Sequence, residues 1–268
     1  MTNALIIPDV HGRTFWREPV QQALNDATCS DIIFLGDYVD PYPREQITPA
    51  DAFEVLCEII DLKKRHPERI HLLLGNHDMG YFADDICECR RDCERYAQIQ
   101  GLFFDNLPLF DLAWETTLNG RRYLLSHAGV MRGWLSQHHE LFAETDNISA
   151  STLNDLLHGD RQGVPYAMLI KALGDVSWIR GGDSDSGSVI WADEYELTVE
   201  NILPGIVQIY GHTQQTKAPR CLTSNGVDVA YCLDCRQAFM LYRNGIIHFL
   251  DGKAVFVPKP SAKKEESQ

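Results

Sequence analysis

Five short apolar runs in this chain finish alike, with a small or turn-forming residue followed by aspartate, asparagine or histidine. They are Pro8-Asp9-Val10-His11, Gly36-Asp37, Gly75-Asn76-His77-Asp78, Ser126-His127 and Gly211-His212. A single Asp or His after a strand is usually a turn or cap residue, but five repeats in one chain make coincidence a poor account. The side chains are carboxylate, imidazole and amide, with no thiolate. That mixture suits borderline or hard divalent cations such as manganese, iron or zinc. Asp9, His11, Asp37, Asn76, His127 and His212 are too many ligands for one catalytic ion that must also hold water. They match two ions sharing a carboxylate, an arrangement that ionises water near neutral pH for attack on an electrophile.

For these residues to meet, the runs must be strands whose carboxyl ends open on one cleft, since ligands gather outside the carboxyl ends of strands in open sheets. The pattern fits. Ala4–Pro8, Asp31–Leu35 and Arg69–Leu74 read as buried parallel strands. Between them lie two helical patterns. Thr14 is expected to cap the first, which carries Phe15, Val20, Ala23 and Leu24, and Thr48-Pro49 opens the second, with Phe53, Leu56, Ile59 and Ile60 on one side. The order βαβαβ implies parallel strands. Ile86 to Phe104 is mostly helical in character. Leu109–Leu118 and Arg121–Leu125, split by Asn119-Gly120, read as a β-hairpin. Residues 132–173 read as helices and loops, a candidate cap over one end of the sheet. Ile206–Tyr210 is a further strand. Two or three more are expected around Val227–Leu233, Ala238–Tyr242 and Ile246–Leu250, with Asn244-Gly245 as a turn. A single domain over residues 1–258 is expected, with a disordered tail at 259–268.

Composition narrows the partners. Of the 268 residues 44% are hydrophobic, enough for a real core, and the formal charge is −14. Such an acidic surface disfavours duplex nucleic acid, so a polyanionic substrate needs local cations. The N-terminal apolar run is too brief for a signal peptide, and no run of about 18 apolar residues occurs. The expected location is therefore cytoplasmic, away from membranes. Of the eight cysteines, Cys87, Cys89 and Cys93 cluster, and Cys232 and Cys235 form a C-x-x-C. The two groups lie far apart in sequence and Cys232 follows a strand-like run, so reduced thiols are favoured over a zinc or redox site.

Taken together, Asp9-Val10-His11-Gly12, Gly36-Asp37-Tyr38-Val39-Asp40, Gly75-Asn76-His77-Asp78, Ser126-His127-Ala128-Gly129 and Gly211-His212-Thr213 resemble the calcineurin-like metallophosphoesterases. Within them the chain is similar to the phosphoprotein phosphatase branch in its bacterial and phage style, and to the symmetrical diadenosine tetraphosphatases. The resemblance implies an α/β fold, a four-layer α/β/β/α sandwich with two mixed sheets and two divalent metal ions, manganese first and iron or zinc as alternatives. It implies that Asp9 and His11 bind one metal, that Asp37 bridges both, and that Asn76, His127 and His212 bind the second, Asn76 also facing the substrate phosphate. It implies that a metal-bridging hydroxide attacks phosphorus while His77, oriented by Asp40, protonates the leaving oxygen.

The chain departs from that pattern where phosphate is gripped. Asp40 is followed by Pro41 rather than arginine, and Leu74 stands where arginine commonly precedes Gly-Asn-His. Arg180, in a Trp-x-Arg element resembling one in bacterial and phage members, and Arg44 are the candidate replacements. The leading expectation is a phosphomonoesterase acting on a phosphorylated protein or a small phosphoester, with serine/threonine phosphoprotein as first substrate. The alternatives are a dinucleoside polyphosphate or nucleotide pyrophosphohydrolase and, from another class, a catalytically silent phosphate- or protein-binding module. Nothing in the sequence fixes an oligomeric state.

Overall fold

A computed structural model describes residues 3–83, 90–142, 145, 147–159, 165–215, 218–245, 247–249 and 257–258. The first half supplies β1 (Asn3–Ile7), α1 (Arg17–Asn25), β2 (Cys29–Phe34), α2 (Pro49–Arg65), β3 (Ile70–Leu73), α3 (Asn76–Met79), α4 (Tyr96–Asp105) and the short β4 (Phe110–Asp111). The second supplies β5 (Ala113–Leu118), β6 (Arg121–Ser126), α5 (Arg132–Gln137), α6 (Ala150–His158), α7 (Tyr166–Leu173), β7 (Ile206–Tyr210), β8 (Arg220–Ser224), β9 (Val227–Cys232), β10 (Phe239–Leu241), β11 (Ile247–Phe249) and β12 (Val257–Pro258). One sheet runs β11-β10-β1-β2-β3-β4 and the other β12-β8-β9-β7-β6-β5. Both mix parallel and antiparallel pairs: β1, β2, β3 and β4 are parallel, as are β6, β7 and β9, with β10 and β5 antiparallel to their neighbours.

Alternation along each strand makes the layers. Ala4, Ile6, Ile33, Leu35 and Leu73 of the first sheet meet Tyr123, Leu125, Val207, Ile209 and Tyr231 of the second in one buried cluster between the sheets. The intervening residues Leu5, Ile7, Ile32 and Phe34 face the other way, into a cluster with Val20 of α1 and Val55, Leu56 and Ile59 of α2. On the outer face of the second sheet, Leu153, Leu156 and Leu169 of α6 and α7 join Leu124 and Ala230. Helix, sheet, sheet, helix is the four-layer sandwich the resemblance implies.

Local signals account for much of this. Thr48 forms a capping box with Asp51, its hydroxyl accepting from the Asp51 amide at 3.1 Å and its amide donating to the Asp51 carboxylate at 3.0 Å. Asn119 and Gly120 adopt the two positive φ values of a tight hairpin turn, joining β5 to β6. Asn225-Gly226 does the same between β8 and β9, a hairpin the sequence reading passed over.

Two expectations are corrected. Thr14 does not cap α1, which begins at Arg17 with no side-chain cap. Burial of Trp16, whose indole donates to the Arg13 carbonyl at 2.9 Å, sets the entry instead. Of the helix expected from Ile86 to Phe104, residues 86–89 lie outside the described ones, and residues 90–95 are irregular before α4 begins. The Asp92 amide there donates to Tyr81 Oη and Asp40 rather than to a carbonyl one turn back.

Residues 132–173 contribute to the main hydrophobic cluster through Trp134, Leu153, Leu157, Leu169 and Leu173. Asn154 fastens α6 to the kink between β4 and β5: its Oδ1 accepts from the amides of Leu112 and Ala113, both at 2.9 Å, and its Nδ2 donates to the Ala113 carbonyl at 3.1 Å. Among the described residues no helix is long and apolar enough to cross a membrane. Asn154→Ala, which strands two backbone donors, is expected to cost about 2 kcal/mol and lower the melting temperature by roughly 4–8 °C in a thermal melt followed by circular dichroism.

Candidate metal centre

The five motif ends all emerge on one side, three from the first sheet and two from the second. Asp9 and His11 follow β1, Asp37 and Asp40 follow β2, and Asn76 and His77 lie on α3 after β3. His127 follows β6 and His212 follows β7. All eight are buried. Backbone hydrogen bonds stitch the loops pairwise: the His11 amide donates to the Asp37 carbonyl at 2.6 Å, and the Gly211 amide to the His127 carbonyl at 2.8 Å. His11, Asp37, Asp40 and His212 take φ values of 46°, 54°, 58° and 63°. This left-handed backbone is uncommon outside glycine, and its concentration in four site residues is the kind of strain folds hold at functional positions. Close approach is equally marked. A Cβ on Gly75 would stand 2.2 Å from Asp37 Oδ1, and one on Gly211 would stand 2.1 Å from Asp9 Oδ1.

Asp37 is the hub. With His11 and His77 it forms one group of atoms suited to hold a cation, and with His127 and His212 a second. His11 Nδ1 donates to the Val39 carbonyl at 2.9 Å, and His127 Nδ1 to the Leu35 carbonyl at 2.8 Å. A carbonyl can only accept, so each neutral ring turns the lone pair of Nε2 inward. His11 Nε2 lies 3.4 Å from Asp37 Oδ2. Around His127 Nε2 stand Asn76 Oδ1 at 3.0 Å, His212 Nδ1 at 3.2 Å and Asp37 Oδ1 at 3.6 Å. One proton on His212 reconciles only one of these contacts, whereas a cation reconciles them all. His212 Nε2 is buried and has no partner among the described residues. Asp9 accepts from the His212 amide through both oxygens, at 2.9 and 3.2 Å. The donor set therefore fits divalent cations sharing Asp37.

Protonation agrees. Burial, with Asp37 pulling the other way, leaves His11 at about 3. Burial, reinforced by Arg180 and His127, drops His212 well below its ordinary value. Both are neutral imidazoles, the form that ligates. Burial alone would raise the Asp37 carboxyl, but the imidazoles of His127, His77 and His11 outweigh it and hold it at about 2.

His77 differs from the other histidines of the site. Its Nδ1 is 3.0 Å from Asp40 Oδ2, and Tyr81 Oη donates to Asp40 Oδ1 at 2.6 Å. Burial disfavours the imidazolium, yet Asp37 and the Asp40 hydrogen bond prevail and raise its pKa. Arg180 sits beside His212, with Nη2 donating to Thr213 Oγ1 at 2.7 Å and Nε 2.7 Å from Asp193. Arg44 lies further out, donating to Gln214 at 2.7 Å. The C-x-x-C does not join the centre: Cys232 is a buried free thiol ending β9, Cys235 is free and half-buried, and Cys87 and Cys89 lie outside the described residues.

Several supporting residues escaped the sequence reading. The Asp78 carboxylate accepts from the amides of Asp37, Tyr38 and Gly75 at 2.7, 2.9 and 2.9 Å, clamping the β2 and β3 turns together. Its place directly after His77 was the available signal. Trp191 packs edge-on against His212, ring centroids 5.6 Å apart. Tyr42 does so against His11 at 5.0 Å, and Arg90 lies over the Tyr42 ring. None of these three has a local sequence signature.

Against this geometry, the calcineurin-like phosphoesterase model matches residues 2–215. The chain belongs to that family. Among curated relatives, the serine/threonine-protein phosphatase 6 catalytic subunit of Drosophila melanogaster is 24% identical over 96% of this chain and 69% of its own length. A PP2A-like serine/threonine-protein phosphatase, PPG1 of Saccharomyces cerevisiae, is 34% identical over 29% of this chain and 19% of its own. The chain spans 32%, 19% and 28% of the length of three such phosphatase relatives. Among solved structures, a cold-active protein-tyrosine phosphatase from a psychrophilic Shewanella is similar in fold, with a TM-score of 0.58, 15% identity, and 93% of this chain and 80% of that one covered. The family membership and this fold relative agree with the sandwich described above.

Asp78→Asn places an amide N–H2 against backbone donors, so it is expected to destabilise by about 3 kcal/mol. Because the same clamp positions Asp37 and Asn76, the variant should also bind less manganese at equilibrium dialysis than the wild type does.

Proposed function

We propose that the chain is a dinuclear-metal phosphomonoesterase that hydrolyses phosphorylated protein side chains, with a serine/threonine phosphoprotein as the first substrate to test. The observation that carries the reading is the buried Asp37 carboxylate, standing between two groups of side chains whose ring nitrogens and oxygens could each hold a cation. In this reading Asp9 and His11 hold one cation, Asn76, His127 and His212 the other, and Asp37 both. Such a pair of cations, manganese by preference, supplies Lewis acidity and makes a water nucleophilic near neutral pH.

The chain's own residues do the rest. Asp40 accepts the Nδ1 proton of His77 and so leaves Nε2 as the position from which a proton reaches the leaving oxygen. Tyr81 fixes Asp40, so the acid is held by a chain of two hydrogen bonds rather than by solvent. Asn76 and Arg180 provide polar contacts to the phosphoryl oxygens, Arg180 from the His212 side. Burial of the whole set keeps bulk water from screening these charges. The serine/threonine phosphatase names of the relatives support the substrate class, and the full ligand set counts against a silent binding module.

The test is metal analysis with kinetics on protein reconstituted in manganese. About two ions per chain and turnover of a serine/threonine phosphopeptide are expected. His77→Asn should keep its metal and lose roughly 10²–10⁴ in kcat on a substrate with a poor leaving group, whereas Asp37→Asn should lose both. Fewer than about one ion per chain would exclude the two-cation reading. Cleavage of diadenosine tetraphosphate alone would exclude the phosphoprotein one.

A further inference from the structure

The position after Asp40, where the phosphoprotein phosphatase pattern has a guanidinium, is occupied by Pro41. Three arginines nevertheless surround the next residue, Tyr42, whose ring edge abuts His11. Arg13 is 5.5 Å from the ring centroid, Arg44 is 5.4 Å away and Arg90 is 3.9 Å away. Their engagements differ. Arg13 gives Nε and Nη2 to Glu45 at 2.6 and 3.1 Å and Nη1 to the Asp9 carbonyl at 3.1 Å, which locks it as a strut. Arg44 reaches away toward Gln214. Arg90 stacks on Tyr42 and donates from Nη2 to the Asp40 carbonyl at 3.2 Å.

Resting on the phosphoesterase reading above, we propose that Arg90 is the phosphoryl-binding cation on the His77 side of the cleft, entering from a different stretch of chain in place of an arginine at position 41. Tyr42 in turn abuts His11, and His11 lies edge-on to His77 with centroids 5.0 Å apart, so the stack places Arg90 one aromatic layer from the candidate ligands. Arg90 is exposed, so its side chain is open to solvent beside Tyr42.

A guanidinium already held over an aromatic ring loses little freedom when its edge then pairs with two phosphoryl oxygens. Arg180 stands beside Thr213, next to His212, and Arg90 beside Tyr42, next to the Asp40 loop. A dianionic monoester would then be held between them, on a chain whose overall charge repels it.

The probe is inorganic phosphate titrated calorimetrically into manganese-loaded, full-length protein, a measurement that needs no turnover. Arg90→Ala is expected to keep its metal content and melting temperature and to bind phosphate about 10- to 100-fold more weakly. Arg90→Lys, a point charge without the planar fork, should fall between. The KM for a phosphopeptide should rise alongside, because Arg90 touches the substrate, whereas a merely structural role would move the melting temperature and leave phosphate affinity alone. Unchanged phosphate affinity in a fully metallated Arg90→Ala overturns the assignment and leaves the phosphoesterase reading standing. Failure of the loaded wild type to bind phosphate overturns both.

Discussion

Lone pairs pointed at one another are what this protein has to hold in place. His127 Nε2 faces oxygen and nitrogen atoms of Asn76, His212 and Asp37 within 3.6 Å, and buried polar atoms that share no proton or cation are costly. The surroundings resist that repulsion by over-determining each ligand. Backbone carbonyls pin the imidazoles, Asp78 ties two strand ends together, and left-handed turns aim side chains that ordinary backbone would turn away. Each such turn costs of order 1 kcal/mol or more, a strain that the apolar clusters on both faces of each sheet offset.

How much of this was legible beforehand follows from whether a feature is local. The strand ends carrying Asp9, Asp37, Asn76, His127 and His212 could be read because an apolar run and its terminating residues are contiguous. Thr48-Pro49 and Asn119-Gly120 were legible for the same reason. What escaped depends on partners distant in sequence. Asp78 reads as the last residue of the Gly75-Asn76-His77-Asp78 run until its carboxylate is seen to gather three amides. Thr14 has a capping side chain, but the demand to bury Trp16 moved the start of the helix. Residues 90–95 look helical by composition, yet the Asp92 amide is taken by Tyr81 and Asp40. No periodicity in a chain encodes which arginine will stack on which tyrosine.

Charge is distributed unevenly for the same reason. The chain carries −14 overall, but Arg13, Arg44 and Arg90 crowd one ring beside the centre, while Glu45 pairs with both Arg13 and Arg236. That carboxylate is shared by two guanidiniums. Local field matters more than net charge at this range, since beyond about 10 Å salt screens exposed charges.

The five strand ends do not belong to one sheet. Asp9, His11, Asp37 and Asn76 ride on the first, His127 and His212 on the second, and among the described residues side-chain packing and loop hydrogen bonds join the two layers at that seam. A cation gripped from both sides would act as a rivet between the halves of the sandwich. By linkage, whatever binds the assembled state and not the unfolded one adds its binding free energy to stability. Stripping the rivet would therefore loosen the seam between the layers as well as emptying the site, and resistance to heat or protease would follow the cation concentration.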